Sequence, residues 1–132
     1  LRVFELAEED QIHVFTAGIC LPAALAASVV GEGGMEDACQ SRSRDYPDFP
    51  KICSWARETV PRFEGEEDKR NYISRVATRG GVTEAMLESL RRNGDLKAAI
   101  KRGIERSREI SRLYEEPKWQ YCPKINIQDT CA

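Results

Sequence analysis

Residues 78–83 carry the residue types and spacing that can bind an anion, and we call them the Gly-Gly turn. The turn consists of Thr78, Arg79, Gly80, Gly81, Val82 and Thr83. Two adjacent glycines allow backbone conformations with positive φ that other residues avoid. We expect Thr83 to be the N-cap of the following helix, with Val82 and Leu87 as its hydrophobic staple. Free N–H groups at such a helix start attract a carboxylate, although an ordinary connection between helices explains the same pattern.

The sequence gives little evidence for any catalytic or metal-binding set of side chains. His13 is the single histidine, so no Ser-His-Asp or Cys-His set can form, and we expect it to be structural. The five cysteines include no C-x-x-C pair, which argues against a zinc site. We expect reduced thiols, with Cys53 packed as a small apolar residue in a helix. The sequence assigns no catalytic and no metal-binding residue.

The bulk properties fit one intracellular domain. The chain has 132 residues and a formal net charge of −2, which gives no electrostatic footprint for nucleic acid. Its longest apolar run, residues 19–30, is too short to span a bilayer and follows no basic segment of a signal peptide. We therefore expect no membrane partner and a cytoplasmic location. Because the chain begins with Leu1, we expect it to be a piece of a longer protein.

Apolar residues at helical spacing predict an all-α fold. We expect Asp48 to start one helix, the Asn93-Gly94 pair to end another, and Asp95 to start the last. We expect Pro117 to end that last helix. Residues 23–30 predict a buried helix of small side chains that the glycines of residues 31–34 weaken or end.

A row of small residues recurs at every fourth position of the predicted last helix. The row consists of Ala99, Gly103 and Ser107. Small side chains allow another helix to approach this backbone closely. The sequence leaves open whether that helix belongs to the same chain or to a second copy.

The Gly-Gly turn resembles the S-P-G-G-x-T motif of the pyrroline-5-carboxylate reductases. The similarity continues in the same order through residues 86–90, the Asn93-Gly94 turn and residues 105–110. The N-terminal part, from Glu5 to the Pro22-Ala23 pair, also resembles the start of that family's helical domain. Ile19 and Leu21 occupy the positions of two of the family's glycines.

The resemblance implies that residues 1–116 form a C-terminal helical dimerisation domain, an all-α bundle like the C-terminal domain of 6-phosphogluconate dehydrogenase, with residues 117–132 as a tail. It implies an upstream Rossmann domain that binds NADPH or NADH, so the chain itself binds no cofactor and is inactive alone. It also implies a homodimer, in which the Gly-Gly turn holds the carboxylate of a small-molecule substrate whose imine is reduced to proline.

Two alternatives stay open at this stage. Ile19, Leu21 and Arg79 differ from the family pattern, which allows a related reductase that acts on a different imine or keto acid. The chain also fits a helical dimerisation module without a catalytic partner domain.

Overall fold

Seven α-helices make up the part of the chain that the structure describes. It is a computed structural model covering residues 4–28 and 32–121, without the side chains of Glu32 and of residues 114–121. The helices are α1 (Gln11–Ile19), α2 (Leu21–Ala27), α3 (Glu32–Gln40), α4 (Phe49–Thr59), α5 (Glu66–Val76), α6 (Val82–Asn93) and α7 (Leu96–Tyr121). No strand lies in the described ranges, and the predicted all-α class is confirmed. The last eleven residues of the predicted tail lie outside these ranges.

Local signals in the sequence fix several helix ends. Asp48 is the N-cap residue of α4, as predicted. Gly94 has φ of 64° and ends α6, with its N–H donating to the Leu90 carbonyl at 2.8 Å. One residue later the Asp95 carboxylate accepts the Lys97 N–H at 3.1 Å and starts α7. The turn between α6 and α7 is therefore encoded by residues within the turn itself.

Two predicted helix ends are wrong. α2 ends at Ala27, and Gly33 and Gly34 lie inside α3 rather than in a break. The α3 residues Ala38 and Cys39 are buried in the core, and this burial outweighs the cost of about 1 kcal/mol per glycine. The last helix continues through Pro117 to Tyr121. The fixed φ of proline, about −65°, is a helical value, so Pro117 disfavours the helix through a lost hydrogen bond and a clash with the preceding turn but does not exclude it.

The long helix α7 packs against α1, α3 and α6, while α2 packs against α4, α5 and α6. The largest fully buried side chains come from α2, α4, α6 and α7. They are Phe49, Leu21, Ile52, Met86, Leu96, Ile100 and Cys53. The predicted packing of Cys53 as a small apolar residue is confirmed.

The row of small residues on α7 is filled by helices of the same chain. A Cβ added to Gly103 would lie 2.7 Å from Met86 Cγ and Sδ, and 3.4 Å from Ala17 Cβ. The Ser107 hydroxyl and His13 Nδ1 share a hydrogen bond of 2.8 Å, which also confirms the structural position of His13. The row is therefore the contact of α7 with α6 and α1, and it no longer argues for a second copy. The homodimer stays a prediction of the resemblance.

None of the helices within the described ranges is long and apolar enough to cross a membrane.

Gly18→Ala tests the close approach of α1 to α4. The added Cβ would lie 2.5 Å from Cγ2 of Ile52, a stiff β-branched side chain that is fully buried. We expect the free energy of unfolding in urea to fall by about 1–2 kcal/mol, because overpacking outweighs the gain in helix propensity.

Gly33→Ala is the matched control, because among the described residues no atom outside its own stretch of α3 lies within 4 Å of the added Cβ. It is expected to raise the free energy of unfolding by roughly 0.5–1 kcal/mol. If Gly18→Ala raised the free energy of unfolding as much as Gly33→Ala does, the close packing of α1 against α4 would be contradicted.

Candidate carboxylate-binding site

The Gly-Gly turn depends on both glycines, for different reasons. The Gly81 N–H donates to the Thr78 carbonyl at 2.8 Å, which closes a tight turn. Gly80, its third residue, has φ of 75°, as a type II turn requires. A Cβ on Gly81 would lie 3.0 Å from the Thr78 carbonyl oxygen. Gly80 supplies the positive φ, and Gly81 leaves room for the Thr78 carbonyl oxygen, which a Cβ would crowd.

Helix α6 begins two residues earlier than the sequence predicted. Gly81 is its N-cap residue, with φ of −89° and ψ of −176°, and Val82 is the first helical residue. Thr83 is thus the second residue of the helix, so the predicted Thr83 cap and the staple of Val82 and Leu87 are wrong. The turn already supplies an extended residue at Gly81, and the helix starts directly after it.

Thr83 is buried, with 8% of its surface exposed, and its helix α6 packs against α2 and α1. Cys20, the residue between α1 and α2, is close enough to Thr83 for the hydroxyl to affect its thiol. Burial raises the pKa of the Cys20 thiol, and the Thr83 hydroxyl partly offsets that rise. Cys20 stands between Ile19 and Leu21, so this contact joins the two stretches of sequence that resemble the reductases.

Arg106 of α7 holds the turn from outside. Its Nε and Nη2 donate to the Gly80 carbonyl oxygen at 3.0 and 2.8 Å, and its Nη1 donates to Glu109 at 3.0 Å. The hydrogen bonds that Glu109 accepts from Arg106 and Arg102 hold the pKa of its carboxyl below the usual value. Sequence reasoning missed Arg106, because its charged neighbours look like ordinary surface pairs and the turn lies 26 residues earlier.

Backbone N–H groups in the first turn of α6 are left without a partner and can donate to a ligand. The Gly80 N–H already donates to a carboxylate oxygen of Glu84 at 2.8 Å. The N–H groups of Val82 and Thr83 have no hydrogen-bond partner within the described residues, as expected in the first turn of a helix. Thr78 and Arg79 are exposed at the rim. The arrangement suits a small carboxylate better than a neutral ligand.

In the described ranges, no group of three or more histidine, cysteine, aspartate or glutamate residues is arranged to hold a metal ion.

Comparison with known proteins adds no assignment: no family model, no curated protein and no solved structure matches this chain. The membership suggested by the resemblance stays a prediction.

Arg106→Ala tests whether α7 stabilises the turn. The change removes two hydrogen bonds to the Gly80 carbonyl and one to Glu109, and we expect a loss of about 1 kcal/mol in urea unfolding. Arg106→Lys keeps the charge without the two-pronged geometry and should recover less than half of that loss. Arg112→Ala, at an exposed position of the same helix, is the control and should change little. If Arg106→Ala and Arg112→Ala change the free energy of unfolding equally, the hydrogen bonds from Arg106 to the turn contribute nothing to stability.

Proposed function

We propose that this chain is a C-terminal helical domain of an NAD(P)H-dependent oxidoreductase of the pyrroline-5-carboxylate reductase type. Its role is to hold the carboxylate of a cyclic imine substrate at the Gly-Gly turn. One observation carries the proposal, the packing of α6 against α2, with Thr83 buried at the start of α6. It brings together the S-P-G-G-x-T-like turn and the stretch around Pro22. Each of the two stretches resembles the family by its own residues, and they are far apart in sequence.

The proposed site works through backbone donors. The N–H groups of Val82 and Thr83 donate to the substrate carboxylate, and the positive end of the α6 dipole adds to the attraction. The Thr83 hydroxyl has a single proton, so in the proposed complex it donates that proton to the substrate carboxylate instead of to the Cys20 sulfur. Arg79 supplies an exposed cation able to meet the carboxylate with a two-pronged hydrogen bond.

The redox chemistry belongs to other parts of the proposed protein. A Rossmann domain preceding this chain supplies NADPH or NADH, and hydride passes to the carbon of the imine to give a proline-type product. This chain contributes the grip on the carboxylate and no catalytic residue. It is proposed to be inactive alone.

Pairing of two copies is part of the same proposal. Helix α5 buries none of its residues within one chain, and Val76 on it is 42% exposed. A groove of about 350 Å³ beside α5 exposes more apolar than polar surface and is lined in part by Ile73, Leu87 and Leu90. A helix of a second copy is the occupant that the family resemblance implies.

A related reductase with another imine or keto acid as substrate is the second candidate. Leu21 is 1% exposed and fills the core where the family has a glycine. A bulky side chain there alters the backbone approach beside Cys20, which favours a substrate of different shape. The carboxylate-binding role of the Gly-Gly turn is the same in both candidates.

Thr83→Ala and Thr83→Ser in the full-length protein test the proposed site. Serine keeps the hydroxyl, so Thr83→Ser should bind substrate within about threefold of the parent. Thr83→Ala loses one hydrogen bond to a charged group, worth about 1.5–3 kcal/mol, and should raise KM roughly tenfold or more. Steady-state kinetics with the cyclic imine measures both. If both variants bind like the parent, the turn is a structural connection and the proposal fails.

A further inference from the structure

A cavity of about 550 Å³ lies between the start of α1, the connection from α3 to α4, and α7, and we call it the arginine cavity. Arg42 and Arg44 line it from the connection, and Arg108 lines it from α7. Its volume lies in the range of sites for small molecules. Arg106, which holds the Gly-Gly turn, lies two residues before Arg108 and therefore about 200° away around the helix. The arginine cavity and the turn thus lie on opposite sides of α7.

Side-chain hydrogen bonds hold the walls of the arginine cavity together. Gln11 accepts the Ala7 N–H at 2.7 Å with Oε1 and donates to the Asp45 carbonyl at 2.9 Å with Nε2. The Nη2 and Nε groups of Arg108 donate to the Asp10 carboxylate at 2.7 and 3.3 Å. The start of α1 is therefore tied both to the connection and to α7, so the cavity is formed before any ligand binds.

Two of the three arginines are held by carboxylates and keep donors free. Arg42 donates through Nη1 to the Asp45 carboxylate at 3.3 Å, and Arg108 is held by Asp10. In both ion pairs the arginine side chain is the less exposed, at 27% against 60% for Asp45 and at 40% against 64% for Asp10. A guanidinium has five N–H donors, and these pairs use only one or two of them. The guanidinium groups are thus oriented without being saturated.

The third arginine leaves a positive charge without a partner at the same cavity. Arg44 is exposed, and its side chain makes no hydrogen bond or ion pair with any residue that the structure describes. Glu8 also lines the wall, and its carboxylate likewise has no partner among the described residues. Arg44 therefore attracts an anion into the cavity, and Glu8 opposes it.

The deep part of the arginine cavity is apolar. Val14 of α1 and Ile104 of α7 line it and are 4% and 3% exposed. Ala7 and Pro47 add apolar surface nearer the opening. A ligand with a small organic group beside its charged group would cover this surface, whereas a free inorganic ion would leave it in contact with water.

We propose that the arginine cavity binds a small phosphate monoester, with the phosphate on Arg44 and on the free donors of Arg42 and Arg108. The organic group lies over Val14 and Ile104. A phosphate dianion offers three terminal oxygens, so several guanidinium groups can bind it at once with two-pronged hydrogen bonds. The site shares no residue with the Gly-Gly turn and does not depend on the function proposed for that turn.

An NMR titration of the ¹⁵N-labelled chain tests the site with phenyl phosphate, inorganic phosphate and, as the control, phenol, at an ionic strength held constant with chloride. We expect saturable shifts of the amide signals of residues 42–45 and of Arg108 with phenyl phosphate. Inorganic phosphate should bind there more weakly, and phenol should cause no such shifts. Equal affinity for the two phosphates, or phosphate-induced shifts confined to Val82 and Thr83, would overturn the proposal.

Variants at exposed positions of the wall identify the sign of the charge that the cavity binds. Arg44→Ala should raise the Kd for phenyl phosphate roughly tenfold, because it removes a charged hydrogen-bond donor. Arg92→Ala, at an exposed arginine of α6, is the matched control and should leave the Kd unchanged. Glu8→Gln should lower the Kd, since it removes a negative charge from the wall. Unchanged binding in Arg44→Ala, or weaker binding in Glu8→Gln, would contradict an anion site.

Discussion

The contact at Gly103 is the constraint on which the rest of this fold depends. Without a side chain at that position, Met86 of α6 and Ala17 of α1 both reach the backbone of α7. This contact holds α6 against α7. Arg106 lies three residues after Gly103 on α7, and its guanidinium donates to the Gly80 carbonyl. The position of the Gly-Gly turn is thus set by packing in the core rather than by the turn alone.

The same packing links the turn to the junction of α1 and α2. Thr83 is buried and its helix packs against α1 and α2, so the start of α6 is held by the interior rather than lying on a free loop. The backbone donors of Val82 and Thr83 then have a fixed orientation, which is what a binding site for a small anion needs. A carboxylate held there would lie beside both stretches that resemble the reductases.

The sequence predicted features that depend on neighbouring residues and missed those that depend on distant ones. The helix end at Gly94 and the start at Asp95 follow from local backbone and side-chain chemistry, and the structure confirms them. The predicted start of α6 is two residues too late, because Gly81 already has the extended backbone of an N-cap residue and the helix begins directly after it. Arg106 could not be found from the sequence, since its partner is a backbone carbonyl far along the chain.

An NMR titration tests most directly whether the Gly-Gly turn binds a carboxylate. The uniformly ¹⁵N-labelled chain is titrated with L-proline and, as the control, with pyrrolidine, which has the same ring without the carboxylate. The account predicts saturable shifts of the Val82 and Thr83 amide signals with proline and none with pyrrolidine. Equal shifts with both ligands, or saturable shifts confined to other parts of the chain, would contradict it.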